Sequence, residues 1–149
     1  MSNVREERLA AIHAIHGHNF ENPDLIWEAL QAHGSPIGRI GIRFLNQGNK
    51  GVALTGDAVI RLVVVNNGVG NNERTEAIAN RIEALLSNST LAAICDTVGL
   101  TGHIVGNPSQ GGAVSSRLKA TTVEAVIGAV FMDAGFEAAR ASMERMGII

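Results

Sequence analysis

The chain has 149 residues, 46% hydrophobic and 17% charged, with 12 basic residues against 14 acidic ones and a net charge of −2. That composition suits one compact globular domain over residues 1–149 and excludes a disordered chain, and it shows no basic footprint of the kind that advertises nucleic-acid binding. Cys95 is the only cysteine, which excludes an intrachain disulfide and a cysteine-based zinc site, and it reads as a small buried hydrophobe.

The N-terminus lacks an apolar h-region and carries Glu6 and Glu7, so neither a secretory signal nor an organelle transit peptide is expected. No apolar run approaches the roughly 18 residues of a membrane span. The expectation is an intracellular protein, cytoplasmic or nuclear, with no membrane association.

Residues 3–16 read as an amphipathic helix with Val4, Leu9, Ile12 and Ile15 on one side and a solvated charge run on the other. His13, His16 and His18 lie close together, but without a carboxylate or cysteine companion they make a poor metal site. Asn22-Pro23-Asp24 is a helix start, and the spacing predicts a helix from there to about His33, ended by Gly34-Ser35-Pro36. Residues 34–51 hold five glycines and one proline and read as a long loop, made locally basic by Arg39, Arg43 and Lys50.

Residues 53–64 form an apolar run with Asp57 as its carboxylate; as a helix it carries apolar residues on every side and should be buried all round. A charge in such a place needs a cation, donors or a solvent cleft, and Arg61 at i+4 is one available partner. Asn66 to Asn72 is a strong turn signal. A helix is predicted from Glu73 to about Leu86, then a break and cap at residues 87–90, then a helix from Leu91 that ends near Gly99 and Gly102. A flexible loop follows at residues 106–112.

Arg117 and Lys119 flank the approach to a second buried-looking helix, in which Glu124 stands alone among apolar residues until Gly135 closes it. The last helix spans Phe136 to Met146. No segment shows strand alternation; Val63-Val64-Val65 continues a helix. The fold class read from this pattern is all-α.

Positions 53 and 57 share one helix face, and 121 and 124 share another. Gly56 and Gly128 would let the two helices approach closely, at a cost of about 1 kcal/mol each in helix propensity. If those faces oppose, residues 53, 57, 121 and 124 surround one point. Four carboxylates there would form a hard-oxygen site for magnesium; this chain has two.

The stretch Val52-Ala53-Leu54-Thr55-Gly56-Asp57-Ala58-Val59-Ile60 resembles the signature helix of the ribonuclease III family. Residues 121–135 are similar to the family's second acidic motif, and residues 20–30 resemble its opening helix, with His33 and Ser35 near the usual positions. Residues 87–92 also fit. The short length and the Asn107-Pro108-Ser109-Gln110 loop resemble stand-alone fungal members without a double-stranded-RNA-binding domain.

The resemblance implies an all-helical endonuclease domain that forms a homodimer and cuts double-stranded RNA with magnesium or manganese. It places catalytic and metal-binding roles on Asp57 and Glu124. The two other ligand positions fall on Ala53 and Thr121, and an accessory acid falls on Lys50, so metal binding is expected to be weak or absent. RNA contacts are expected from Arg39, Arg43, Lys50, Arg117 and Lys119, through phosphates and shape rather than base sequence.

Three functions fit this reading: a double-stranded-RNA-binding domain with a degenerate site and weak or lost cleavage, an active magnesium-dependent endoribonuclease, and a structural ribonucleoprotein component.

Overall fold

The computed structural model describes residues 3–149, and helices dominate it as the spacing predicts. α1 (Val4–His16) is capped by Asn3, whose side chain accepts from the Arg5 N–H, and it ends at Gly17 in the left-handed region. α2 (Pro23–Ala29) begins at the expected cap, with Asn22 Oδ1 accepting from Asp24 N.

α2 ends at Ala29 rather than near His33. The backbone beyond it is taken by tertiary partners: Leu30 O accepts from Val105 N at 2.8 Å, Ala32 N donates to Val105 O at 2.9 Å, and Gln31 O accepts from Asn49 N at 2.7 Å. Groups committed to that short parallel bridge are not available to extend the helix.

The expected loop at 34–51 contains a small antiparallel hairpin, β1 (Arg39–Ile40) with β2 (Arg43–Phe44). Its two-residue connection places Gly41 at φ 60°, a first-position glycine of the kind such turns favour. Arg43 grips the buried Glu28 carboxylate with two bonds of 2.7 and 2.8 Å, tying the hairpin to α2.

α3 (Lys50–Gly70) runs straight through the Asn66–Gly70 segment, where the composition predicts a turn. The reason is packing. Gly68 faces α4 (Thr75–Leu85) so closely that a Cβ there would meet Ile78 Cγ1 at 2.5 Å, and this contact outweighs poor local propensity. The chain turns instead at Asn71 and Asn72, the latter at φ 56°.

α5 (Asn88–Val98) is capped by Ser87 Oγ, which accepts from Thr90 N. A 3-10 turn at Thr101–His103 follows, and another at Pro108–Gln110 orders part of the expected flexible loop. α6 (Ser116–Ala134) is capped by Ser115, and α7 (Phe136–Met146) follows after Gly135 at φ 89°.

α6 is the axis of the core: Ala120, Val123 and every residue from Ala125 to Val130 are buried, as the apolar run around Glu124 predicts. α2, α3, α5 and α7 pack around it. α3 differs from expectation. Val52, Val59, Ile60, Val63 and Val64 face the core, but Leu54 is 76% exposed and Leu62 54% exposed.

Ala58, Val65 and Val69 continue that exposed stripe, because no element among the described residues covers the outer side of α3. By length and composition alone α3 would pass for a membrane span, contrary to expectation. Its inner half is nevertheless core of this domain.

Candidate functional site

The two acid-bearing helices cross where both lack side chains. A Cβ at Gly128 would lie 2.1 Å from Val52 O, and one at Gly56 would overlap the Glu124 carbonyl, so the helices meet main chain to main chain. Asn49 reinforces the junction from the start of α3: its Nδ2 donates to Ala29 O at 2.8 Å and to Thr122 Oγ1 at 3.1 Å, linking α2, α3 and α6. Nothing in sequence spacing singles out Asn49, since all of its partners are distant in the chain.

This crossing brings Asp57 and Glu124 together in a cleft of about 330 Å³ that also gathers Lys50, Ala53, Thr121 and Arg117, with Gln47 and Leu54 at its edge. The convergence of positions 53, 57, 121 and 124 expected from helix spacing is therefore present. Three of the cationic residues lie elsewhere. Arg43 is engaged by Glu28, Lys119 Nζ pairs with Asp96 at 3.0 Å on α5, and Arg39 lies over the Phe44 ring on the hairpin.

Asp57 and Glu124 are within hydrogen-bonding reach and titrate together. Burial, then the neighbouring Asp57, push the Glu124 carboxyl up to about 8, with Arg61 offsetting part of the effect. Burial also opposes ionisation of Asp57, but the Glu124 hydrogen bond and Arg61 outweigh it and hold that carboxyl below its ordinary value. Arg61 Nε donates to Asp57 Oδ1 at 2.7 Å, the i,i+4 pair the sequence offers. The two carboxyls therefore ionise as one unit, with Arg61 favouring the charged form of Asp57.

This donor set does not fit a resident magnesium ion. Magnesium takes hard, charged oxygens in octahedral geometry. Here only two of the four positions carry carboxyls, one of them ion-paired with Arg61, Ala53 offers no donor atom, and the Thr121 hydroxyl donates to Arg117 O on its own helix at 2.8 Å. Among the described residues no three His, Cys, Asp or Glu side chains are placed to share a metal. The histidines near α1 go to separate partners: His13 to Asn19, His16 to the His18 N–H, and His18 to Asp133.

A family model described as ribonuclease-III-like matches residues 22–148. Ribonuclease 3 of Dinoroseobacter shibae is 33% identical over 136 residues, covering 87% of this chain and 56% of that protein. Ribonuclease 3 of Bdellovibrio bacteriovorus is 33% identical over 133 residues, covering 83% of this chain and 54% of that protein.

The chain thus spans about half the length of these bacterial relatives. The solved nuclease domain of ribonuclease III from Campylobacter jejuni superposes with a TM-score of 0.73 at 23% identity, with 94% of each chain covered, which is a likeness of fold. With the family model spanning the hairpin, both acid-bearing helices and the crossing between them, the chain belongs to the ribonuclease III-like family.

Proposed function

We propose that this chain binds double-stranded RNA as a homodimer and that its cleft has lost most or all of its capacity for phosphodiester cleavage. The observation that carries the proposal is the donor set of the cleft: two carboxyls, one of them paired with an arginine, stand where the family resemblance calls for four metal-binding acids. Ala53 and Thr121 add no charge, and Lys50 adds one of the wrong sign for a cation site.

The RNA part of the reading is supported by the relatives' name, Ribonuclease 3, and by exposed Lys50 and Arg117 lining the cleft. The dimer part is supported by the uncovered apolar stripe on α3. The Campylobacter nuclease domain is itself described as having a region involved in dimer formation.

One observation favours the alternative of an active metal-dependent endoribonuclease: Asp57 and Glu124 are both retained and adjacent. Long duplex RNA incubated with magnesium or manganese decides between them. Native protein is expected to bind the duplex in a salt-sensitive manner without cutting it.

An Ala53→Glu, Thr121→Asp double variant should bind magnesium about tenfold tighter or more, since tenfold needs only about 1.4 kcal/mol of added attraction. Metal-dependent cutting by the native protein that disappears in Glu124→Ala would establish the active enzyme instead. Absence of salt-sensitive duplex binding would remove the RNA reading altogether.

A further inference from the structure

A second cleft, of about 460 Å³, adjoins the carboxylate pair and shares Lys50, Arg117 and Thr121 with it. Its other walls include His33 from the segment after α2, and Asn107 and Gln110 from the loop before α6. Lys50 Nζ lies 3.5 Å from His33 Nδ1, so the ammonium and the imidazole share one wall of the cleft.

Among the described residues neither Lys50 nor Arg117 has a carboxylate within ion-pair distance, although eight such pairs form elsewhere. Two uncompensated cations therefore face one concavity. The start of α3, at Asn49 and Lys50, and the start of α6, at Ser115 and Arg117, border the same space. Both bring main-chain N–H groups and the positive end of a long helix to it.

Asn49 closes one wall of the cleft and is 1% exposed, with its Oδ1 shut off from the cleft's solvent. The ligand that suits the cationic walls carries several anionic oxygens.

We infer that this cleft binds a phosphate group directly, through Lys50 and Arg117 with His33 beside them, with no metal ion between phosphate and protein. The inference rests on the RNA-binding reading for its natural ligand and adds the group that is grasped and the side chains that grasp it. It also accounts for Lys50. An ammonium is misplaced beside a cation site but well placed beside a phosphate, where a charge-assisted hydrogen bond is stronger than a neutral one. Phosphate chemistry is shared by a duplex backbone, a 5′-phosphorylated RNA end and free orthophosphate, so the test separates these sources.

The full chain, in EDTA and low salt, is titrated with orthophosphate, with a nucleoside 5′-monophosphate, and with short duplex RNA bearing or lacking 5′-phosphates, by calorimetry and by backbone amide NMR shifts. Saturable binding is expected, with shifts at residues 33, 50, 107 and 117. Lys50→Ala and Arg117→Ala should each weaken it roughly tenfold, the scale of a hydrogen bond to a charged group, and Lys50→Arg should retain it. Arg74→Ala, far from the cleft, should change nothing.

Preference for 5′-phosphorylated RNA would assign the cleft to an RNA end, and equal affinity for both duplexes would assign it to the backbone. No saturable phosphate binding, or binding indifferent to both alanine variants once circular dichroism shows them folded, would overturn the inference. Duplex RNA bound equally well by native protein and both variants would sink the phosphate cleft while leaving the RNA reading intact. Phosphate bound at the named residues without duplex binding would do the reverse.

Discussion

A methyl group on the α-carbon of Gly56 would sit 1.7 Å from the carbonyl oxygen of Glu124, and no rotamer change relieves a collision with main chain. Gly56→Ala should therefore push α3 away from α6. The expected loss is about 3 kcal/mol or more, at or above the upper end of ordinary overpacking costs. Gly51→Ala is the contrast: nothing lies within 4 Å of that position, and it should be neutral or slightly stabilising because alanine is the better helix former. Urea unfolding of the two variants checks both outcomes.

Glu124 supplies a pH signature. Its carboxyl is raised from 4.5 to about 8, first by burial and then by Asp57, so between those values the folded protein holds a proton that the unfolded chain releases. The resulting contribution to stability is complete below pH 4.5 and is lost as pH rises through about 8. Glu124→Gln keeps a neutral side chain at every pH and should show a smaller alkaline loss of stability than the native protein. An Asp57→Asn variant should lower the Glu124 midpoint, measured by carboxyl NMR titration, because its second-largest cause is removed.

His16 works in the opposite direction. Burial, followed by His13, His18 and Arg145, lowers its pKa from 6.5 to about 4, and its Nδ1 accepts a hydrogen bond from the His18 N–H. Below pH 6.5 the unfolded chain takes up a proton that the folded protein refuses. Stability is fully present above 6.5 and falls as pH drops toward about 4, by at most about 1.4 kcal/mol per pH unit for one proton. His16→Gln should flatten that slope in denaturant melts across the same window.

The outer face of α3 gives a prediction about assembly. Leu54 and Leu62 stand uncovered on one stripe, so Leu54→Glu with Leu62→Glu should leave helical content unchanged while converting a dimer to a monomer. Sedimentation of both proteins at micromolar concentration reads the difference directly. A native protein that sediments as a monomer would contradict the proposed dimer.

What the sequence discloses and what it hides divides along chain separation. The helix starts at Asn22 and Ser87, the Asp57–Arg61 pair, and the shared faces of 53 with 57 and of 121 with 124 are local or periodic, and so can be read, whereas the opposition of those two faces stands in the sequence only as a condition. The early end of α2 depends on Val105, the grip on the hairpin joins Arg43 to Glu28, and α3 persists through Asn66–Gly70 because Ile78 packs on Gly68. Those partners are set by tertiary packing, which overrides local propensity and leaves no periodic trace. The bare face of α3 is hidden for another reason: an apolar run looks the same whether its cover comes from the same chain or from a second one.

The main-chain contact at the crossing of α3 and α6 separates the shape of the cleft from its chemistry. Because Gly56 and Gly128 set the helix spacing, the side chains at positions 50, 53 and 121 can be exchanged without moving the frame that presents them. An ammonium, a methyl and a hydroxyl occupy those three positions while the helices stay in register. The scaffold is therefore a socket with interchangeable contacts, and a change of ligand requires new side chains but no new architecture.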